Sequence, residues 1–278
     1  MKIYHNYPMK EKSNIKIGGS AKSFIEVDDK NQLKKIYENY NNIFLIGNGT
    51  NTLFSDSNLD FTFVSIKNLD KITQLKRGIV KVESGLDFSK LMQYMNKENY
   101  SGLENLAGIP GSVGGLAYMN GGAYNTEIFD CIKEVEIFHE GKIDVFQKNQ
   151  LNFSYRYTEM QDKNCVILST TFEFDDGFDL EKVLEIQKLR EEKQPLHLPS
   201  LGSTFKNPSG DFAARLISEA GLKGTIRGNA QISEKHPNFL LNLGEATFKD
   251  IAELLFLIKK TIKEKFDISL EEEIIIIK

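Results

Sequence analysis

The chain has 278 residues, 40% of them hydrophobic and 27% charged, with a formal net charge of −4. That length suits about two domains of roughly 100–200 residues each, and the composition is that of an ordinary soluble globular protein. Interspersed charges of both signs argue against a dedicated nucleic-acid surface but leave room for local basic pockets that take a phosphorylated small molecule.

In chain order, Lys22–Val27 and Asn42–Ile46 have strand character, with a helical stretch Gln32–Tyr40 between them, and Phe61–Ile66 is a further strand. This β–α–β spacing predicts a mixed layer of helix and sheet. Ile79–Glu83 is a strand, and Asp87 is a candidate N-cap for a helix with Phe88, Leu91, Met92 and Met95 on its apolar face. Gly102–Asn125 holds seven glycines and Pro110 with little periodicity, so it is expected to be a long ordered loop. Strands follow at Ile132–Phe138 and Cys165–Phe174, then a helix over Leu180–Lys193 that Pro195 stops. A short amphipathic helix is predicted over Phe212–Ala220, with Ser209 or Asp211 as cap and Gly221 as its end. Asp250–Phe266 carries a helical stripe of Ile251, Leu254, Leu255, Ile258 and Ile262. Ile274–Ile277 is expected to be a strand buried on both faces within an existing sheet.

Cys131 and Cys165 each sit in an apolar run without a CxxC spacing, and are expected to be buried free thiols in a reducing compartment. The histidines (His5, His139, His197, His236) are scattered, so no metal site is expected. The N-terminal stretch lacks an apolar signal core and no run reaches about 18 apolar residues, which predicts a cytoplasmic protein without membrane insertion. Nothing in the chain points to an obligate protein partner.

Three segments carry the functional signal. Gly202-Ser203-Thr204-Phe205-Lys206-Asn207-Pro208 puts a hydroxyl, a cation and an amide next to a proline stop. It is either a rigid loop presenting Ser203 to a ligand or an ordinary surface turn. Gly47-Asn48-Gly49-Thr50-Asn51-Thr52 follows a strand, but Thr52 occupies the third-glycine position of a dinucleotide fingerprint and no helix opens after it. Its backbone N–H groups are left with two readings, an anion-binding nest or a structural turn. Gly108-Ile109-Pro110-Gly111-Ser112-Val113-Gly114-Gly115 is a second such loop. Glycine allows close backbone approach to a flat ring or a diphosphate, and two separated glycine loops suit an elongated cofactor. Six glycines from 108 to 122 favour a ligand over turns that pack on one another, because each is entropically unfavourable to order.

The strings IKIGG (15–19), GNGTNTLFSD (47–56), GLENLAGIPGSVGG (102–115), MNGGAY (119–124), FSYR (153–156), LGSTFKNP (201–208), AGLKG (220–224) and SEKHPNFLLN (233–242) occur in that order. Together they closely resemble the UDP-N-acetylenolpyruvoylglucosamine reductase (MurB) family of bacterial peptidoglycan synthesis. The resemblance implies an α+β fold: a two-lobed FAD-binding unit of the vanillyl-alcohol-oxidase type plus a substrate-binding domain. Carried over, residues 1–67 form the first lobe, joined by a strand from 267–278; 68–192 form the second; and 193–266 form the substrate domain. It implies FAD and NADPH as cofactors, with the glycine loops (Gly47, Asn48, Gly49, Thr50, Asn51, Thr52; Gly108, Ile109, Pro110, Gly111, Ser112, Gly114, Gly115) on FAD. It implies Arg156 as partner of the developing enolate, Ser203 as proton donor and Glu273 either assisting at the substrate carboxylate or relaying the proton, with Lys193 and Asn207 on the substrate's sugar and diphosphate. The implied substrate is UDP-N-acetylglucosamine enolpyruvate. The rival readings are another flavin oxidoreductase on the same scaffold and a non-catalytic flavin or nucleotide-sugar binding protein.

Four departures from the family pattern matter. Leu270-Glu271-Glu272-Glu273 lacks a proline, so a slip of one residue would turn Glu272 to the site instead of Glu273. Thr158 stands where a serine is usual, and Pro237 replaces a small residue in the His-x-Asn-Phe string. The interval from Arg156 to Ser203 is too short for the tyrosine-bearing loop of some members, which implies the shorter, more open type II branch.

Overall fold

The structure, a computed structural model, describes residues 1–163 and 165–278. Two compact units divide the chain. The first is Met1–His5, Ser23–Asn48 and Phe61–Arg190; the second is Asn6–Lys22, Gly49–Asp60 and Glu191–Lys278. Neither is a continuous stretch of sequence.

A four-stranded sheet runs in the order Lys2–Pro8, Ser20–Glu26, Leu59–Ser65, Ile43–Ile46, the last pair being parallel. Helix α1 (Gln32–Asn39) gives Leu33 and Ile36 to the cluster formed with Ile25, Val27 and Val64 in the first unit. The second sheet of that unit is antiparallel throughout. Its order is Lys142–Gln147, Ile132–His139, Cys165–Glu173, Ile79–Glu83, Ile72–Lys76. Helices α2 (Phe88–Glu98), α3 (Val113–Met119) and α4 (Leu180–Lys193) share its core through Phe88, Leu91, Val113, Leu116, Val183 and Ile186.

The second unit has a four-stranded antiparallel sheet in the order Ser200–Ser203, Phe239–Asn242, Ala230–Ile232, Ile226–Arg227. Helices α5 (Ala213–Glu219) and α6 (Phe248–Phe266) complete its core. Segregated helices and mainly antiparallel sheets make this an α+β fold. The expected stripe of α6, from Ile251 to Ile262, is buried. Its start is a capping box: Asp250 N–H donates to Thr247 Oγ1 at 3.2 Å, and Thr247 N–H donates to Asp250 Oδ2 at 2.9 Å. Gly221, with φ +78°, ends α5 as expected. Leu222 N–H donates to the Ile217 carbonyl and Gly221 N–H to that of Ser218, the two bonds of a Schellman motif.

Several expectations need correction. The Gly102–Asn125 stretch is not wholly loop, because it contains α3. Ser112 caps that helix by accepting from Gly115 N–H at 3.2 Å. Gly114 hid the helix from sequence pattern, yet a Cβ there would stand 2.5 Å from Ser84 Cβ, so close packing demands glycine. Asp87 takes the N-cap position of α2, but its carboxylate makes no capping bond and accepts instead from Asn48 Nδ2 at 2.5 Å. Phe212 is the N-cap of α5, and the side chains that serve its start are Asp211, accepting from Phe212 N–H, and Asn207, accepting from Ala213 N–H.

The terminal strand, Ile275–Ile277, pairs in parallel with Thr52–Phe54 alone, and Ile275 and Ile276 are half-buried. It is therefore one member of a two-stranded pair, not an insertion buried on both faces. Cys131 is half-buried and precedes its strand, whereas Cys165 is buried at the head of its own; both are free thiols. Desolvation pushes the Cys131 thiol up to about 12.

Candidate active site

The serine segment closes the strand Ser200–Ser203. Pairing with Phe239–Asn242 is regular at Ser200↔Leu241 and shifts before Ser203↔Phe239, which marks a bulge. Gly202 sits inside it at φ +75°, and a Cβ there would meet nothing within 4 Å, so backbone conformation, not crowding, requires glycine. Ser203 is half-buried, and its hydroxyl has no hydrogen-bond partner among the described residues.

Backbone around the serine is held from two sides. On one side Asn238, 3% exposed, donates from Nδ2 to the Phe205 carbonyl at 2.8 Å. Its Oδ1 accepts from Phe205 N–H at 3.0 Å, and its carbonyl accepts from Thr204 N–H at 2.7 Å. Pro237 fits this arrangement, because Phe239 N–H donates to the His236 carbonyl and proline then stands second in the β-turn. On the other side Glu273 N–H donates to the Thr204 carbonyl at 2.8 Å, Lys206 N–H to the Glu271 carbonyl at 2.9 Å, and Phe205 bridges Glu272. The same contacts fix the three glutamates. Glu272 is gripped by Lys259 of α6, at 2.8 and 2.9 Å from its two oxygens, and Glu271 pairs with Lys206 at 2.7 Å.

Arg156 occupies a tight hairpin turn between Phe153–Ser154 and Tyr157–Thr158. Its φ of +54° lies in the left-handed region that favours glycine. Such strain in a non-glycine residue is uncommon and concentrates at working sites. The guanidinium lies 4.9 Å from the Tyr155 ring centre, and Nη2 donates to the Gly122 carbonyl at 2.7 Å. Thr158, the residue in place of serine, donates to the Tyr118 carbonyl at 2.7 Å.

The structure brings parts of the two glycine loops together within the first unit. Asn48 reaches Asp87, Asp87 bridges Ser112, and a Cβ on Gly47 would stand 2.9 Å from Ser112 Oγ. The loops differ in what they offer. The N–H groups of Gly47, Asn48 and Gly49 donate to nothing among the described residues. Those of Val113, Gly114 and Gly115 are already bonded to the Leu86 carbonyl, the Ser84 carbonyl and Ser112 Oγ. Packing explains some glycines outright: a Cβ on Gly49 would sit 1.6 Å from the Lys12 carbonyl oxygen. Asn51 is tied inward, donating from Nδ2 to the Glu273 carbonyl at 3.0 Å, and Thr52 begins a buried strand. Gly108, Pro110 and Gly115 are exposed; Ile109 and Gly111 are half-buried.

Lys193 ends α4, exposed and without an ion pair among the described residues. Asn207 directs its Oδ1 to the start of α5. No group of three or more metal-ligating side chains occurs among the described residues, and no helix is long and apolar enough to cross a membrane. Sequence reasoning misses two residues. Asn238 lies inside the string SEKHPNFLLN, but only the pairing of two strands shows that it holds the serine loop. Arg190 is legible in sequence only as part of a helix; its register with Val183 and Ile186, the two other buried residues of α4, is the available signal.

A profile of the UDP-N-acetylenolpyruvoylglucosamine reductase C-terminal domain matches residues 194–277, and one of an FAD binding domain matches residues 21–143. The chain is 57% identical to UDP-N-acetylenolpyruvoylglucosamine reductase of Fusobacterium nucleatum, over 100% of both chains. It is 39% identical to the reductase of that name from Clostridium novyi, over 99% of this chain and 92% of the relative. Among solved structures it is similar to UDP-N-acetylenolpyruvylglucosamine reductase (MurB) from Thermus caldophilus. That similarity has a TM-score of 0.86 at 30% identity and covers 100% of this chain and 98% of the other.

Proposed function

This chain belongs to the UDP-N-acetylenolpyruvoylglucosamine reductase family, and from that premise we propose how its own residues carry the family's reaction. The protein is an FAD-dependent oxidoreductase that uses NADPH to reduce UDP-N-acetylglucosamine enolpyruvate to UDP-N-acetylmuramate, a peptidoglycan precursor. FAD, when bound, supplies two-electron hydride chemistry between NADPH and the enolpyruvyl double bond. The open N–H groups of Gly47, Asn48 and Gly49 fit such an anionic, diphosphate-bearing group. Gly47 to Thr52 form one contact with FAD and Gly108 to Gly115 the other. The second loop approaches the cofactor through exposed Gly108, Pro110 and Gly115, its later N–H groups being engaged within the protein.

The remaining chemistry falls to side chains. Reduction at the terminal carbon leaves negative charge that spreads into the neighbouring carboxylate. A cation beside that carboxylate and a proton donor at the adjacent carbon are therefore needed. Arg156 supplies the cation, its planar fork suiting a carboxylate better than an ammonium would. Ser203 supplies the proton. The observation that carries this assignment is its hydroxyl: half-buried, on a glycine-aimed bulge braced by Asn238 and the Glu273 segment, and engaged by nothing else among the described residues. Glu273 assists at the substrate carboxylate; the grip of Lys259 on Glu272 supports choosing Glu273 over its neighbour. Lys193 and Asn207 contact the sugar diphosphate. Residues 1–67 with 267–278, 68–192 and 193–266 are the corresponding two FAD lobes and substrate domain, and the short Arg156–Ser203 interval supports the type II branch.

Anaerobic half-reactions test the assignment. Ser203→Ala should be reduced by NADPH at a rate within about twofold of wild type, yet return to the oxidised band on adding substrate some 10²–10⁴-fold more slowly. Equal losses in both halves would remove Ser203 from its role. Glu273→Gln should slow only the second half, and Glu272→Gln should leave both nearly unchanged; the reverse pattern would move the role to Glu272.

A further inference from the structure

Helix α4 buries Val183, Ile186 and Arg190, spaced three and four residues apart on one face. Two of these serve the apolar core; the third is a guanidinium only 8% exposed. Its Nε–H has no hydrogen-bond partner, and among the described residues no carboxylate pairs with it. Burial depresses its affinity for a proton, and the ionisable neighbour acting on it is the Tyr124 phenol, not a carboxylate. An arginine desolvated without a counter-charge is strongly disfavoured, and a core position on a helix is served more stably by an apolar side chain. The position of the side chain indicates what offsets that penalty. Arg190 lies against Gly108, where an added Cβ would approach Nε to 3.2 Å and Cδ to 3.3 Å. Gly108 has φ +77° and is exposed, so Nε of the guanidinium lies beside an exposed backbone position that carries no side chain.

We propose that Arg190 is a binding residue for the cofactor, its guanidinium donating to an anionic oxygen of FAD that approaches over the Gly108 turn. This rests on the reading of the second glycine loop as an FAD contact. FAD has two groups of the required chemistry: its diphosphate, and the N1–C2=O edge of the ring, which gains negative charge on two-electron reduction. A fork of several donors suits either group.

The test compares wild type, Arg190→Met and Arg190→Lys. Four quantities are measured: FAD affinity of the apoprotein, riboflavin affinity of the apoprotein, sulfite affinity of the bound flavin, and apoprotein Tm. The expected result for Arg190→Met is an FAD affinity at least tenfold weaker with an apoprotein Tm unchanged or raised. Arg190→Lys should lose less, since it keeps the charge without the fork. If the partner is the diphosphate, riboflavin and sulfite affinities stay within twofold. If it is the ring edge, both weaken along with FAD. The proposal is overturned if FAD and sulfite affinities of Arg190→Met match wild type. A lowered apoprotein Tm with FAD affinity retained also overturns it, by showing a purely structural role. Failure of wild type itself to bind FAD would reject the underlying functional reading, whereas equal binding by wild type and variant would reject only the role of Arg190.

Discussion

At the scale of single residues, the serine site is organised less by the serine than by an asparagine. Asn238 satisfies both the N–H and the carbonyl of buried Phe205, so removing its amide strands two polar groups away from water. Each such group costs about 1–3 kcal/mol, and Asn238→Ala should lower unfolding stability by about 2–4 kcal/mol in a denaturant titration. The same variant should depress the substrate half-reaction through Ser203 misplacement and leave NADPH oxidation nearly intact. Its neighbour His236 is a titration probe for the same turn. The ring stands 4.7 Å from Phe239, its Nδ1 lacks a partner, and desolvation holds its pKa below the ordinary 6.5. A depressed native pKa means the unfolded chain binds the proton first. The contribution of His236 is therefore complete above pH about 6.5 and fades as pH falls through the lower native value. Tm measured from pH 7.5 to 5 should decline more steeply for wild type than for His236→Gln; parallel curves would show the ring to be indifferent to folding.

At the scale of elements, the helices owe their places to different amounts of local and tertiary information. α6 combines a capping box with an unbroken apolar stripe, so propensity, cap and burial agree. Ile258→Ala, at a fully buried position of that stripe, should cost about 2–5 kcal/mol, whereas Phe256→Ser, at a side chain 69% exposed on the same helix, should change stability by about 0.5 kcal/mol or less. Urea denaturation of the two variants checks the contrast. α3 is the opposite case. Its seven residues include two glycines, its one side-chain cap is Ser112, and its first N–H bonds go to Leu86 and Ser84 of a neighbouring segment. A helix so short and glycine-rich is unstable alone, so it forms because the turn that follows the strand Ile79–Glu83 accepts its first donors and packs on Gly114. The exposed strands Lys2–Pro8 and Lys142–Gln147 escape sequence reading for a related reason. With few buried residues they show no two-residue alternation and exist through pairing with a partner strand.

At the scale of the whole molecule, each unit has its own core, built from residues that are far apart in sequence. In the second unit Ile15, Leu53, Leu240 and Ile274 share one cluster. The sequence by itself determined the features that depend on neighbours along the chain. These were the stripes of α2 and α6, the extent of α4, the Gly221 stop, the β-branched runs, and the ordered strings that identify the family. It also located Ser203 beside Gly202, because glycine and proline punctuation is local information. Only the tertiary structure decided features that depend on what a residue meets across space. Lys259 claims Glu272 and so separates it from Glu273; Asn238 braces a loop some thirty positions away. Ser112 and Asp87 join the two glycine loops, while Arg190 is left buried without a counter-charge. Periodicity reports that a side chain is turned inward, but the charge or carbonyl it finds there is set by the packing of distant segments.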